Sequence, residues 1–421
     1  MSASVQKTLI ILGANQETKP LVAASNALGF KTVVLDPFPQ SPAKEIACSS
    51  YDVDVMDAEA VDQIIAMEDA DGVLVGVADP LVREYQRICA RHGFYCYASE
   101  TNVGVLTSKA AFAVECSKYG IDPVPSFEVD EGSDTEIESL DYPVIVKPTD
   151  RGAGTGISVC YGPADFREAV IKARGVSKFE KLQIEKFMQC DDMLAYYTFI
   201  DGKVYLSAIF DRHRTLKQRA LSPVCLAANY PSVHIDKFLE VVNPKLLNMF
   251  QGLQISNGVL AIQFFFDGLN FYAYDPGFRL QGEAPNVYLK HFNGFDHREM
   301  LLRFSVTGSM NFQNFETLND ASFGGQFATT IWVLLRLGYI ASVEGVETIK
   351  SHPNIIEFMQ RFGAGDEVTL GMLGTERQVF ARIYVVGETR EHVMETVNFI
   401  HKNLDIRDNF GVDMILDRYK F

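Results

Sequence analysis

Apolar runs alternate with helix-like stretches through the first hundred residues. The runs KTLIILGA, KTVVLD and GVLVGV are separated by stretches of helical periodicity at about 18–28 and 58–67. Short apolar runs between helical segments are typical of buried parallel strands. The N-terminal part is therefore predicted to be a doubly wound parallel sheet covered by helices.

The pattern changes after about residue 105. A helix is expected near 108–119, followed by an exposed acidic connection at 128–139. From about 140 to 305 strands dominate, and AIQFFF and FYAYD, joined by residues 267–270, are expected to form a hairpin. The strand VFARIYVVG and the helix TREHVMETVNFIHKNL follow near the C-terminus. The fold class predicted for the chain is α/β and α+β.

These changes give the domain boundaries. We expect a doubly wound domain at 1–105, a second domain at 106–310 and an α+β region at 311–421. There is no internal repeat and no linker rich in Pro or Ser. Three regions packed against each other are therefore expected.

Composition narrows the class of protein. The 421 residues are 47% hydrophobic and 22% charged, as in ordinary globular proteins. A net charge of −16 without a dense Lys/Arg run makes general binding to nucleic acid or anionic membranes unexpected. No apolar stretch is long enough to span a bilayer, and the first residues lack the features of a signal peptide. Seven scattered cysteines without a CxxC motif favour a reduced, cytoplasmic protein without structural zinc.

The glycine signal near the N-terminus is incomplete. Gly13 follows the first strand in ILGANQE, and Asp36 ends the second strand where a dinucleotide-binding fold places its ribose-binding acid. The full GxGxxG spacing is missing, so a doubly wound domain without nucleotide is the favoured interpretation. Asp79 ends the third strand, either as a ligand-binding residue or as a helix cap.

A phosphate-binding pattern follows in YPVIVKPTDRGAGTG. Lys147 ends an apolar strand, and Gly152, Gly154 and Gly156 follow it closely. A lysine can neutralise phosphate charge, and glycines let backbone amides approach phosphates. The alternative, a surface lysine at a strand end, leaves the three alternate glycines unexplained.

Acidic and amide side chains lie on the strands that come next. Glu185 lies in LQIEKFM and is followed by Asp191 and Asp192. Gln263 and Asp275 are placed on adjacent strands of the expected hairpin. Oxygen ligands on adjacent strands suit Mg²⁺, although both residues could also be ordinary polar hairpin positions.

Basic residues accompany these groups. Arg279 follows Asp275 by four residues and suits a phosphate group. Arg212, His213 and Arg214 end another strand, where they could bind an acidic substrate or form a solvated strand end.

In this order, the motifs resemble the ATP-grasp superfamily of carboxylate–amine ligases, which includes carbamoyl-phosphate synthetase and biotin carboxylase. GANQETKPLVAA and HFNGFDHREMLLRFSVTG are similar to stand-alone synthetase-like members. The resemblance covers nearly the whole chain. It implies a preATP-grasp domain at 1–105, an ATP-grasp domain at 106–310 with a mobile lobe at about 120–190, and a carboxylase-like C-terminal region.

The resemblance also implies roles for individual residues. Lys109 and Lys147 would contact phosphate, and the three glycines would form the loop over the γ-phosphate. Glu185, with the backbone of Lys186 and Met188, would read the adenine edge. Asp192, or its neighbour Asp191, would contact the ribose hydroxyls. Mg²⁺ would be held at Asp275 and Gln263, and Arg279 would act with Lys147 on the transferring phosphoryl group.

Three departures from the family pattern affect the metal site. Gln263 is neutral, Asp275 is shorter than the usual Glu, and Gly277 replaces a metal-binding Asn. Lost oxygen ligands are expected to weaken Mg²⁺ binding, on the order of several kcal/mol, unless the phosphates of ATP supply ligands themselves.

The function that the resemblance implies is an ATP-dependent ligase. ATP would phosphorylate a substrate carboxylate, an amine would attack the acyl phosphate, and ADP and phosphate would leave. The expected partners are small carboxylates and amines, with a homodimer as an allowed assembly. The alternatives are an ATP-binding protein without ligase activity, a nicotinamide-dependent oxidoreductase that uses the N-terminal domain, and, within the family, a bicarbonate-using carboxylase.

The segment LQIEKFM resembles the part of ATP-grasp proteins that contacts the adenine base, and this resemblance predicts selectivity for adenine. Backbone groups at a fixed base edge discriminate between adenine and guanine, because their hydrogen-bond donors and acceptors differ. Calorimetry is expected to show Mg²⁺-dependent binding of ATP and much weaker binding of GTP. Equal affinity for the two nucleotides would contradict the adenine assignment.

Overall fold

The computed structural model describes residues 6–148, 156–177, 182–215 and 224–420. Its N-terminal part is the predicted doubly wound sheet, in which all strands are parallel in the order β3-β2-β1-β4. The strands are β1 (Thr8–Leu12), β2 (Lys31–Asp36), β3 (Ser49–Asp52) and β4 (Gly72–Val75). The helices are α1 (Lys19–Ala27), α2 (Ala58–Glu68), α3 (Val82–His92) and α4 (Glu100–Leu106). The edge strand β3 was not predicted, because SSYD contains no apolar run.

The next part forms a small antiparallel sheet, with strands in the order β6-β9-β7-β8. The elements in this part of the chain are α5 (Lys109–Lys118), β5 (Asp122–Pro123), β6 (Ser126–Phe127), α6 (Asp134–Ser139), β7 (Val144–Pro148), β8 (Ser158–Cys160), α7 (Pro163–Val176) and β9 (Leu182–Lys186). Of these, β5 pairs with the large sheet described next. The acidic connection expected at 128–139 contains the short helix α6, which Ser133 caps. A core centred on Val144, Val146 and Phe166 belongs to this sheet alone.

The large sheet has the strand order β18-β20-β15-β12-β11-β10-β13-β14-β5, with parallel pairing only between β14 and β5 among the described residues. The strands that follow β9 are β10 (Asp191–Ile200), β11 (Lys203–Arg214), β12 (Cys225–Tyr230), β13 (Gly258–Phe266), β14 (Phe271–Gly277), β15 (Phe327–Leu334), β16 (Gly338–Tyr339), β17 (Ser342–Glu344), β18 (Ile355–Gln360), β19 (Glu367–Val368), β20 (Val379–Gly387) and β21 (Asp405–Arg407). The predicted hairpin is confirmed as β13 and β14.

Helices cover the large sheet and connect it to the N-terminal sheet. They are α8 (Ile235–Val241), α9 (Asn243–Gly252), α10 (Asn286–Tyr288), α11 (His297–Thr307), α12 (Phe315–Leu318), α13 (Val346–Lys350) and α14 (Arg390–Asn403). One continuous core includes buried residues of the N-terminal sheet, the large sheet and α14. The large sheet also runs across the boundary expected at residue 310, because β15 pairs with β12. The α/β and α+β fold class is confirmed, whereas the exact domain boundaries stay predictions.

None of the helices found in the described ranges combines the length and the apolar character that crossing a membrane requires.

Gly72 allows the N-terminal sheet to approach α11 closely. A Cβ atom at this position of β4 would overlap the backbone carbonyl oxygen of Ser305 in α11. Since backbone cannot rotate away as a flexible side chain can, Gly72→Ala is expected to destabilise the protein by roughly 1–3 kcal/mol. Denaturant unfolding measures this effect.

Gly104→Ala in α4 is the matched control. No atom lies within 4 Å of a Cβ added there. Alanine in a helix is more favourable than glycine by about 0.5–1 kcal/mol, so this variant is expected to be slightly more stable. Equal stability of the two variants would show that β4 and α11 can separate at little cost.

Candidate functional site

Four charged side chains from different elements converge, and we call them the lysine cluster: Lys109, Lys147, Glu185 and Asp275. Lys109 begins α5, whose N-terminus is capped by Ser108, and its Nζ lies 3.2 Å from Asp275 Oδ1. Lys147 Nζ donates a hydrogen bond of 2.6 Å to Glu185 Oε2. The structure thus brings together two lysines and two carboxylates that the sequence analysis had placed in one site.

Strand register explains how Lys147 and Glu185 meet. Lys147 on β7 is paired with Gln183 on β9, and Ile145 is paired with Glu185. Residues two apart in a strand lie on one face, so Lys147, Gln183 and Glu185 share a face. Gln183 Nε2 also donates to Glu185 Oε1 at 2.6 Å. The side chains of Lys147 and Glu185 are only 15% and 14% exposed, so each charge depends on the other.

The two lysines differ in their acidity. Burial lowers the pKa of Lys147; Glu185 opposes this and Lys109 adds to it, so the net pKa is below the ordinary value. Burial also acts to lower the pKa of Lys109, but Asp275, assisted by Glu185 and Asp79, outweighs it and raises the pKa. The pKa values of both lysines are therefore affected by Glu185 and Asp275.

Gln263 and Asp275 face each other across β13 and β14, with a bulge directly after Gln263. The next position of the expected metal motif, Gly277, is crowded. A Cβ atom there would lie 2.6 Å from Nε2 of Gln281, whose side chain is buried. No group of three or more His, Cys, Asp or Glu side chains suited to a metal ion occurs in the described ranges. Asp275 is thus the one carboxylate among residues 263, 275 and 277, and Gln263 beside it is a neutral oxygen donor.

Arg279 links the large sheet to the N-terminal sheet. Its guanidinium forms an ion pair with Asp79 and donates to the backbone carbonyl of Leu280 at 2.7 Å. Its Nε is buried without a hydrogen-bond partner among the described residues. The sequence left open whether Asp79 binds a ligand or caps a helix. In the structure its carboxylate positions Arg279.

Asp192 lies in a second set of charges, on β10. Its carboxylate is 2.5 Å from Arg214 Nε and accepts a hydrogen bond of 2.9 Å from the Tyr274 hydroxyl. Arg212 reaches Glu283 at 3.2 Å. The two arginines of the strand end RHR are thus paired with carboxylates rather than solvated, and His213 Nε2 lies 2.9 Å from Asn229 Nδ2.

Asp191 lies on the other face of the large sheet, because successive strand residues alternate. Its carboxylate interacts with Nε2 of His234 at 2.9 Å. Asp192 is therefore better placed than Asp191 for a ligand on the face that carries Gln263 and Asp275. Its contact with ribose stays a prediction.

A further group of charges was missed by the sequence analysis, and we call it the arginine–glutamate cluster: Glu17, Arg361, Glu376 and Arg382. Arg361 donates to Glu17 at 2.5 Å, and Arg382 donates to Glu376 at 2.8 Å. Burial acts to raise the pKa of Glu376, but Arg382, Arg361 and Arg212 lower it further, so the net pKa is lowered. The influence of Arg212 shows that this cluster adjoins the charges around Asp192.

One signal could have found part of this cluster. Arg382 interrupts the apolar strand VFARIYVVG, and its side chain is only 5% exposed. A charged residue inside an apolar strand indicates a partner or a ligand. Glu17 gave no comparable signal, because a glutamate before a helix is common.

The remaining predicted residues have mixed outcomes. The backbone N–H of Lys186 donates to the Pro125 carbonyl at 2.8 Å, so this N–H is used within the small sheet. Base reading by the backbone of Lys186 and Met188 stays a prediction. Gly156 has φ +75°, and a Cβ there would lie 2.6 Å from Val176. Gly152 and Gly154 lie outside the described residues.

Asp36 is engaged within the N-terminal sheet. Its carboxylate accepts hydrogen bonds from the Ala14 N–H at 3.0 Å, the Phe38 N–H at 2.9 Å and the Ser41 hydroxyl at 2.6 Å. A ribose hydroxyl would have to compete with these donors. This arrangement supports the favoured interpretation of the first domain as one without a dinucleotide.

Glu185→Gln tests the charge pairing in the lysine cluster. Loss of the negative charge removes an interaction that supports the ammonium, so the pKa of Lys147 is expected to fall further. A pH titration of ¹³C-methylated lysines by NMR, assigned with Lys147→Arg, measures it. Glu115→Gln, which removes the partner of Lys118, is the control and should leave the Lys147 signal unchanged. An unchanged Lys147 pKa in Glu185→Gln would contradict the assignment.

Comparisons with known proteins agree with this geometry. Residues 108–272 match the family model "Carbamoyl-phosphate synthase L chain, ATP binding domain". The formate-dependent phosphoribosylglycinamide formyltransferase of Sulfurisphaera tokodaii is 25% identical over 210 residues, which cover 47% of this chain and 51% of that protein. The chain thus spans about half the length of the curated relatives that it matches.

Solved structures extend the likeness to the whole fold. An L-amino acid ligase from Bacillus licheniformis has a TM-score of 0.78 at 15% identity, over 97% of this chain and 100% of that one. The biotin carboxylase domain of the Hydrogenobacter thermophilus 2-oxoglutarate carboxylase, a dimer in complex with MgADP, ADP and bicarbonate, has a TM-score of 0.73 at 16% identity, over 96% and 92%. The likeness of the fold therefore extends beyond the segment that matches the ATP-binding domain model.

Proposed function

We propose that the protein is an ATP-dependent carboxylate–amine ligase. A carboxylate oxygen attacks the γ-phosphorus of ATP, which gives an acyl phosphate and ADP. An amine then attacks the acyl carbon, which gives an amide, phosphate and a proton. The convergence of Lys109, Lys147 and Arg279 near the β13–β14 hairpin supports this proposal, because phosphoryl transfer depends mainly on positioned positive charge.

The two lysines are suited to hold nucleotide phosphates. Each now has one carboxylate partner, and a polyphosphate would replace or share that partner. Charge-assisted contacts to phosphate are stronger than neutral hydrogen bonds. A site in which the lysines are already fixed by ion pairs loses little further side-chain entropy when phosphate binds.

Asp275 would hold Mg²⁺ on the side of the nucleotide phosphates, with Gln263 beside it as a neutral oxygen donor. The metal ion, when bound, neutralises charge on the phosphate oxygens. Arg279 would neutralise the transferring phosphoryl group, with Asp79 fixing the direction of its guanidinium. Asp79, in the N-terminal domain, would therefore position Arg279 for the reaction.

The arginine–glutamate cluster is a candidate site for the acid and the amine. It combines two guanidinium groups and two carboxylates, which suit a substrate carboxylate and an ammonium group. The names of the relatives supply examples of small carboxylates, namely formate and L-amino acids. A homodimer, the state named for the 2-oxoglutarate carboxylase domain, stays a prediction for this chain.

Of the alternatives, an oxidoreductase that uses the N-terminal domain has the weaker support. The carboxylate of Asp36, which would bind the ribose, already accepts hydrogen bonds from Ala14 and Ser41 of the same domain. An ATP-binding protein without ligase activity has one observation in its favour, the single carboxylate at the expected metal site. An ADP-release screen over pairs of small carboxylates and amines, with mass spectrometry of the product, separates these possibilities. ATP binding without ADP release for any pair would favour the binding protein.

Lys147→Met tests the role of the lysine in turnover. The change keeps most of the apolar stem but removes the ammonium, so ADP release with an active substrate pair is expected to fall about a hundredfold or more. Lys203→Met is the matched control, since Lys203 is 69% exposed and pairs with Glu316 away from the site. An unchanged rate in Lys147→Met would remove this lysine from the reaction.

A second variant separates chemistry from folding. Lys147→Met leaves Glu185 buried without its cation, which is expected to lower the melting temperature. The double variant Lys147→Met/Glu185→Gln removes both charges and is expected to regain stability without regaining activity. Recovery of turnover together with stability would mean that the role of Lys147 is structural.

A further inference from the structure

The β13–β14 hairpin, which carries Gln263 and Asp275, provides few oxygen ligands for a metal ion. The family resemblance implies ligands at residues 263, 275 and 277, but only Asp275 carries a charge among these three. Gln263, opposite to it, is neutral, and Gly277 has no side chain. Divalent cations such as Mg²⁺ prefer carboxylate oxygens, so each missing charge lowers the number of ions that the site can hold.

Other protein groups fill the space beside Gly277 and pair with the carboxylate of Asp275, where a metal ion would bind. The Lys109 ammonium lies 3.2 Å from Asp275 and neutralises its charge. The amide of Gln281 fills the space beside Gly277, where a Cβ atom would lie 2.6 Å from its nitrogen. An asparagine at 277 could not enter without displacing this buried amide.

We infer that the protein takes up a single divalent cation per nucleotide, carried by the phosphates and contacted by Asp275. The Lys109 ammonium, shared between Asp275 and a phosphate, would supply the positive charge that a second cation would otherwise supply beside that carboxylate. Asp275 is paired with Lys109 and Glu185 with Lys147, so a second Mg²⁺ would find no carboxylate of the lysine cluster without a cation partner. This inference rests on the proposed binding of ATP.

Titration with Mn²⁺ in the presence of ADP tests the stoichiometry. The free ion gives a characteristic electron paramagnetic resonance signal, and its loss counts bound ions. We expect no tight Mn²⁺ binding to the free protein and one Mn²⁺ for each bound ADP. Two Mn²⁺ per ADP, or tight binding without ADP, would overturn the inference while leaving the proposed function intact. Absence of nucleotide binding in calorimetry would overturn both.

Gln263→Glu supplies the missing carboxylate. Its side chain lies opposite to Asp275, so the variant is expected to bind two Mn²⁺ per ADP. If it binds ADP as tightly as the parent but takes up one Mn²⁺, the shortage of carboxylates does not set the stoichiometry and the inference fails.

Lys109→Met removes the charge that replaces the second cation. The ADP affinity of this variant is expected to fall about tenfold at low Mg²⁺ and to depend more steeply on Mg²⁺ concentration than that of the parent. Lys118→Met, on the same helix and paired with Glu115, is the control and should match the parent. An unchanged Mg²⁺ dependence in Lys109→Met would overturn the role assigned to Lys109.

Discussion

Ammonium and guanidinium groups lie crowded together in this site, and they are stable there because a carboxylate accompanies each of them. Several of these pairs connect distant parts of the chain: Arg279 follows β14, whereas its partner Asp79 follows β4, 200 residues earlier. Removing Asp79 would leave the guanidinium of Arg279, which is only 12% exposed, without its carboxylate, and an uncompensated buried charge costs more than the pair itself contributes. The ion pair between Arg279 and Asp79 therefore also links the large sheet to the N-terminal sheet.

The small sheet stands apart from this arrangement. Its core, which includes Val146 and Phe166, is separate from the continuous core shared by the other two sheets. A separate core is the physical condition for a lobe to move as a body, because no shared side-chain packing has to be broken. Lys147 and Glu185 both belong to this sheet, so their ion pair would travel with it. Lys109 and Asp275 pair outside it, at the edge of the large sheet. Mobility of the lobe itself stays a prediction.

Local signals predicted the elements and many of the site residues, but not their pairing. Alternating or continuous apolar runs gave the parallel N-terminal strands and the β13–β14 hairpin, since each depends on neighbours in sequence. The continuation of the large sheet through β15 and β20 could not be predicted, because its strand partners are distant in sequence, as in the pairs Ala227–Ile331 and Thr329–Val385, and leave no local pattern. For the same reason the pairing of Arg279 with Asp79 and of Arg361 with Glu17 was not predicted. A charged side chain indicates that a partner exists, but only the fold determines which one it is.

The neutral side chain of Gln263 is consistent with the charges of its neighbours Asp275 and Lys109. A glutamate at 263 would add a negative charge opposite to Asp275, and Lys109 alone could not balance both. Two adjacent carboxylates repel each other unless a cation lies between them. With Gln263 in that position, Lys109 faces a single carboxylate in this pair of hairpin residues. The neutral residue is therefore not simply a lost ligand, because it matches the lysine that now neutralises Asp275.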